Sequence, residues 1–169
     1  MTLHNKNIQF KNPLVVGLGY RTGLSVANYL SDKGYSVTVT DSKDEHTLKP
    51  LIDTLRTGVT VYTGVQKPDL LDNNYDIIIL SPGVPQRIPL IQEAYKRNIP
   101  VISEIELAYY FGLGSIIAIT GTDGKSTTTA LTGHILSSLG LHTFVGGNIG
   151  IPYVSFVDET REDSVTVLE

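Results

Sequence analysis

The sequence contains no cysteine, so a disulfide framework, a thiol nucleophile and a cysteine-based zinc site are all excluded. Charge is scarce, at 18% of residues against roughly 25% in soluble domains at large. The formal net charge of −4 argues against a broad nucleic-acid-binding surface, and nine tyrosines form no stacking array that would restore one. A single loop that holds one phosphorylated small molecule remains compatible with that charge. No apolar run approaches the ~18 residues of a membrane span. The opening MTLHNKNIQFKN lacks the apolar stretch of a signal peptide. We therefore expect a soluble, cytoplasmic, monomeric chain. The histidines His4, His46, His134 and His142 show no H-x-x-x-H spacing, which makes a histidine metal cluster improbable, and His134 reads as a packed or surface residue.

What is present is apolar and glycine-rich. Hydrophobic residues make up 41% of the 169 and glycines number 16, and the mean hydropathy is +0.05. This composition rules out a disordered polar chain and suits buried strands joined by tight turns. The length gives room for one ordinary domain or two small ones.

Apolar runs alternate with helical spacing along the chain. Strands are expected at 14–16, 36–40, 59–62, 77–80 and 101–102, with helices at 23–33 and 90–97. Leu48, Leu51, Ile52 and Leu55 form one stripe of a further helix, which Pro50 should delay to a late start. The unbroken Ile77-Ile78-Ile79-Leu80 reads as a strand covered on both faces. This order predicts a mostly parallel α/β sheet. After a short helix at 104–111 and a hinge at 112–115, a second unit from residue 113 begins a new strand at 116–120. It continues with a helix at about 126–139 and strands at 141–145 and 165–168. Three strands and one helix are too few to close a two-faced layer, so this second unit is expected to be incomplete.

Two glycine loops follow strands and open helices. In the second unit, Thr120-Gly121-Thr122-Asp123-Gly124-Lys125-Ser126-Thr127 has the strand and helix that a phosphate-binding loop requires. Glycines let backbone N–H groups turn toward phosphate oxygens, Lys125 reaches the outer phosphates, and the Ser126 hydroxyl suits Mg²⁺. Its G-x-x-G-K-S is two residues tighter than the common G-x-x-x-x-G-K-[ST]. In the first unit, Gly17-Leu18-Gly19-Tyr20-Arg21-Thr22-Gly23 precedes Asp41, which ends the second strand where a ribose-binding carboxylate would stand. That loop supports an anion at a helix start without choosing among NAD(P), a nucleotide sugar or no ligand. The run Gly146-Gly147-Asn148-Ile149-Gly150 allows close backbone approach to a ligand, whereas Ser81-Pro82-Gly83-Val84-Pro85 reads as an ordinary loop.

TGTDGKST at 120–127, GGNIGIP at 146–152 and VLE at 167–169 together resemble the Mur ligases of peptidoglycan synthesis. VVGLG at 15–19, SPGVP at 81–85 and EIEL at 104–107 fit the same family. The resemblance implies a Rossmann-like UDP-binding domain over residues 1–112, followed at 113–169 by the beginning of a P-loop ATPase α/β domain. It implies an ATP-dependent ligase that joins D-glutamate to UDP-N-acetylmuramoyl-L-alanine through an acyl phosphate. Gly19, Tyr20, Arg21 and Thr22 would line the uridine diphosphate, with Asp41 and Ser42 near the uracil, Gly83 beside the uridine and Asn148 at the diphosphate. Thr122, Asp123, Gly124, Lys125, Ser126 and Thr127 would hold ATP, with Lys125 catalytic and Ser126 and Glu169 ligating Mg²⁺. Two departures from the family stand out: its first glycine loop usually has one residue fewer, and Asn is commoner than Asp at position 123. The family's carbamylated lysine, next histidine and amino-acid domain would follow residue 169, so the chain alone is expected to be inactive. Rival readings are another Mur-type or folylpolyglutamate-type ligase, a non-catalytic nucleotide-sugar-binding module, and an NAD(P) oxidoreductase, against which Lys125 and Ser126 argue.

Overall fold

The structure, a computed structural model, describes residues 9–64 and 66–169; His4 and most of the polar opening stretch lie outside the described residues. Contacts divide the chain into a unit of Asn7–Glu104 and another formed chiefly by Ile105–Glu169.

The first unit is a five-stranded sheet of order β3-β2-β1-β4-β5, parallel throughout. Its strands are β1 (Pro13–Val16), β2 (Thr38–Asp41), β3 (Thr60–Thr63), β4 (Ile77–Leu80) and β5 (Val101–Ser103). β1 and β4 are central, and their aliphatic runs suit burial on both faces. Leu14, Val16 and Ile78 share one face and pack in a cluster with Leu90, Ile91 and Ala94. Those three belong to helix α3 (Pro89–Lys96), and Leu71 from the 3₁₀ turn Pro68–Asn73 joins them. Val15, Val39, Ile77 and Ile79 alternate onto the other face and are equally buried. Helix α1 (Thr22–Asp32) packs on β1 and buries Gly23, Val26, Ala27 and Leu30, a 3.6-residue stripe.

Helix α2 (Glu45–Ile52) departs from the expected late start, because Pro50 lies in its interior. Asp44 fixes an earlier start by accepting the Thr47 backbone N–H at 2.8 Å, and the helix ends two residues after the proline. Only one helical hydrogen bond is therefore lost to Pro50, and Leu55 falls outside the helix.

The second unit holds a three-stranded parallel sheet of order β6-β8-β7, with the last strand in the middle. These are β6 (Ser115–Ala118), β7 (Thr143–Gly146) and β8 (Val165–Leu168). Helix α5 (Lys125–Ser138) packs on β7 and β8, with Gly133 lying directly against Val145. On the opposite face Phe144 stacks on Phe156, with centroids 5.5 Å apart. Tyr153, Val154 and Val157 are buried beside Phe156, in 3₁₀ turns that hydrophobic periodicity did not reveal. The expectation of an unclosed layer fits both faces. The α5 side leaves Leu131 56%, Ile135 48% and Leu139 71% exposed, and on the Phe144 face, where the 3₁₀ turns pack, Ala118 is exposed and Ile116 half-buried.

Helix α4 (Glu104–Phe111) has Leu107 and Ala108 fully buried, and falls with the second unit apart from Glu104. The backbone after it is tied to the same unit, since Leu113 N–H donates to Thr160 Oγ1 at 2.9 Å and Ser115 N–H to Ser164 O at 2.9 Å. The division at 104/105 thus lies upstream of the 112/113 boundary expected from sequence.

Gly23 provides a stability test, because a Cβ there would collide with the Gly17 carbonyl oxygen, while one at Gly19 would meet nothing within 4 Å. Gly23→Ala should lower unfolding free energy by about 1–3 kcal/mol, the usual cost of overpacking, in a denaturant titration that leaves Gly19→Ala near the parent value.

Candidate functional site

In the first unit the loop of residues 17–23, Asp41 and the loop of residues 81–85 follow β1, β2 and β4. Parallel strands bring these carboxyl ends to one edge, and chain order reverses between β1 and β4, which is where open α/β sheets bind ligands. Asp41 is buried and fixes this edge. Its Oδ2 accepts the Leu18 N–H at 2.7 Å and its Oδ1 the Lys43 N–H at 2.9 Å. The Ser81 hydroxyl donates to Gly17 O at 2.6 Å, joining the 81–85 segment to the first glycine loop. Sequence favours an ordinary loop there, although its place after the fourth strand and the family resemblance both point to a ligand edge. Gln66, which sequence did not single out, reaches the Thr40 carbonyl at 3.3 Å.

The first glycine loop opens α1 with a wide turn. Leu24 N–H bonds to Gly19 O at 3.1 Å, five residues back, and this wider turn places Gly23 against Gly17. Arg21 at the N-cap makes no side-chain cap, and the first turn of α1 carries no acidic residue. The positive end of a helix favours an anion. Gly19, Tyr20, Arg21, Ser42 and Gly83 are exposed and Thr22 is half-buried, so the expected uridine-diphosphate residues occupy the same carboxyl edge.

In the second unit, α5 starts at Lys125 behind Gly124, whose φ of +72° takes the left-handed turn of the loop. No side chain caps this helix and no acidic residue lies in its first turn. Thr122, Asp123, Ser126 and Thr127 are exposed with Gly124, and Lys125 Nζ rests on the Thr122 carbonyl at 3.3 Å. The Ser126 hydroxyl donates to Glu169 Oε2 at 2.5 Å, so the two expected cation ligands meet from 43 positions apart in sequence. Glu169 Oε1 in turn accepts from Asn148 Nδ2 at 3.2 Å. The Ser126 hydrogen bond foremost holds the Glu169 carboxyl below the usual carboxylate range, with Asn148 and Lys125 adding to it and burial opposing. Two hard oxygen donors of this kind suit Mg²⁺, which completes its shell with water and phosphate oxygens. A cavity of about 440 Å³ adjoins Lys125 and Glu169 and is walled by Tyr109, Ile116, Ala118 and Leu168. Its apolar wall lowers the local dielectric and strengthens charge interactions at its rim. Asn148, expected at a diphosphate, lies beside Glu169 in the second unit. His134 is exposed, and His142 pairs with Asp163 at 3.2 Å on the surface.

Known proteins resemble this chain over nearly its whole length. It is 47% identical to a UDP-N-acetylmuramoylalanine--D-glutamate ligase from Koribacter versatilis, over 96% of this chain and 36% of that protein. The enzyme of the same name from Geotalea uraniireducens is 46% identical over 100% of this chain and 36% of its own length. The chain thus spans about a third of the curated relatives it matches. Among solved structures, a murein peptide ligase from Psychrobacter arcticus superposes with a TM-score of 0.54 at 18% identity, covering 94% of this chain and 37% of that one. A UDP-N-acetylmuramate:L-alanyl-gamma-D-glutamyl-meso-diaminopimelate ligase from Neisseria meningitides gives 0.52 at 20% identity, covering 95% and 52%. At that identity the two structures support the fold alone. The model of the Mur ligase MurD-like N-terminal domain matches residues 11–103, more than half of the sequence, and the chain belongs to that family.

Proposed function

We propose that this chain supplies the UDP-sugar-binding and ATP-binding parts of a ligase that adds D-glutamate to UDP-N-acetylmuramoyl-L-alanine. The meeting of the Lys125 loop with Ser126 and Glu169 carries this reading, because a serine hydroxyl and a carboxylate beside a phosphate-binding loop suit nucleotide with its cation. The names of the curated relatives supply the acceptor and the amino acid.

In this reading the first unit anchors the nucleotide sugar. The loop of Gly19, Tyr20, Arg21 and Thr22 offers N–H groups and a guanidinium to the diphosphate, while Asp41 and Ser42 face the uracil and Gly83 the uridine. The backbone bonds of Asp41 keep that surface in shape before ligand arrives. In the second unit Thr122, Asp123, Gly124 and Thr127 frame the triphosphate. Lys125 stabilises charge on the γ-phosphoryl group as it passes to the muramoyl-alanine carboxylate, giving an acyl phosphate. The amine of D-glutamate then displaces phosphate and forms the amide. Ser126 and Glu169 would hold Mg²⁺, which neutralises developing charge on the phosphate oxygens. No protein nucleophile is needed, in keeping with a chain that has no cysteine. No helix among the described residues is long and apolar enough to cross a membrane. We place the protein in the cytoplasm as a monomer that acts without nucleic acid, and expect no turnover from these 169 residues alone.

Binding tests this reading on the chain as it stands. Lys125→Ala should weaken ATP binding tenfold or more by calorimetry, since a hydrogen bond to a charged group contributes about 1.5–3 kcal/mol; unchanged affinity would remove Lys125 from the site. UDP-N-acetylmuramoyl-L-alanine should bind the parent chain measurably and Asp41→Asn more weakly, because one Asp41-bound backbone N–H would lose its acceptor. The absence of heat at millimolar ligand would contradict the nucleotide-sugar assignment.

A further inference from the structure

The segment after β7 lies flush along Glu169, the residue that follows β8. Glu169 N–H donates to Gly146 O at 3.1 Å and Asn148 N–H to Glu169 O at 3.1 Å, continuing the pairing of the two strands beyond Gly146 and Leu168. Gly147 makes the approach possible, since its φ is +99° and a Cβ there would stand 2.8 Å from the Glu169 carbonyl oxygen. These bonds fix the Glu169 backbone but not its side chain, which has three torsions, the terminal one broad. Two hydrogen bonds orient the carboxylate, one from Ser126 to Oε2 and one from Asn148 to Oε1. A carboxylate only accepts, so the side chain facing Oε1 must donate, as the Asn148 amide does.

We propose that Asn148 is a positioning residue that aims Glu169 at the phosphate-binding loop, so that Glu169 and Ser126 present a preset pair of oxygens to a divalent cation. The proposal rests on the reading of residues 120–127 as the ATP site. It gives Asn148 a role distinct from the diphosphate contact that the family resemblance implies. A cation held by Ser126 and Glu169 would displace the hydrogen bond between them, leaving Asn148 as the side-chain tie on the carboxylate. Carboxylates that ligate metals are commonly oriented by such hydrogen bonds, and losing one typically lowers metal affinity 10–100-fold.

The test measures Mn²⁺·ATP binding by electron paramagnetic resonance for the 169-residue chain, Asn148→Ala and the isosteric Asn148→Asp. Asn148 is exposed, so both variants should keep the parent melting midpoint. Asn148→Ala should weaken Mn²⁺·ATP binding about 10–100-fold while binding of ATP in EDTA stays at the parent level. Asn148→Asp keeps an oxygen but loses the donor, and should not restore binding. Parent-like Mn²⁺·ATP affinity in either variant, an equal loss with and without metal, or a loss confined to UDP would overturn the proposal. If the parent chain itself fails to bind Mn²⁺·ATP, the nucleotide reading falls and this inference with it.

Discussion

Parallel pairing is the constraint on which the rest depends. In each unit every strand runs the same way, so each connection must return across the sheet and all carboxyl ends gather on one edge. In the first unit that edge carries the first glycine loop, Asp41 and the Ser81 loop; in the second it carries the Lys125 loop, Asn148 and Glu169. The buried aliphatic strands stabilise the sheets, and the polar groups at their ends are positioned as a consequence. A register slip between β1 and β4 would separate Ser81 from Gly17, and one between β7 and β8 would separate Asn148 from Glu169.

The two edges use carboxylates differently. Asp41 is buried and has a backbone N–H on each oxygen, which makes it a brace within the loop cluster. The Glu169 carboxylate accepts from two side chains, a hydroxyl and an amide, and the hydroxyl can be exchanged when a cation arrives. The first arrangement suits a rigid surface for a nucleotide sugar, and the second a cation that comes and goes with its nucleotide. The same division shows in the glycines. Gly23 allows α1 to start tight against Gly17, and Gly147 allows the 146–148 segment to lie against Glu169.

Much of this was legible in the residues. Ile77–Leu80, Glu104–Phe111 and Val165–Leu168 have the expected bounds, because an unbroken aliphatic run and a clear helical stretch leave little choice. α2 starts earlier than Pro50 alone suggests, because the Asp44 carboxylate caps it through the Thr47 N–H. The 3₁₀ turns around Tyr153 and Val157 show no period, and their aromatic residues reveal a purpose only when Phe144 lies beneath them. In the candidate sites, loop residues could be located by motif, but partners distant in sequence could not. Ser126 and Glu169 are 43 positions apart, and nothing local announces that β8 runs between β6 and β7. The role of Asn148 toward Glu169 was hidden for the same reason.

The central claim is that one chain carries two nucleotide sites, each on the carboxyl edge of its own parallel sheet. Nitrogen-15 amide spectra of the chain, titrated separately with UDP and with Mg²⁺·ATP, address it most directly. The account predicts that UDP shifts amides of residues 17–23, 41–43 and 81–85, and that Mg²⁺·ATP shifts those of 120–128, 148 and 169. Shifts from both ligands in one and the same set of residues, or none from either at millimolar concentration, would contradict it.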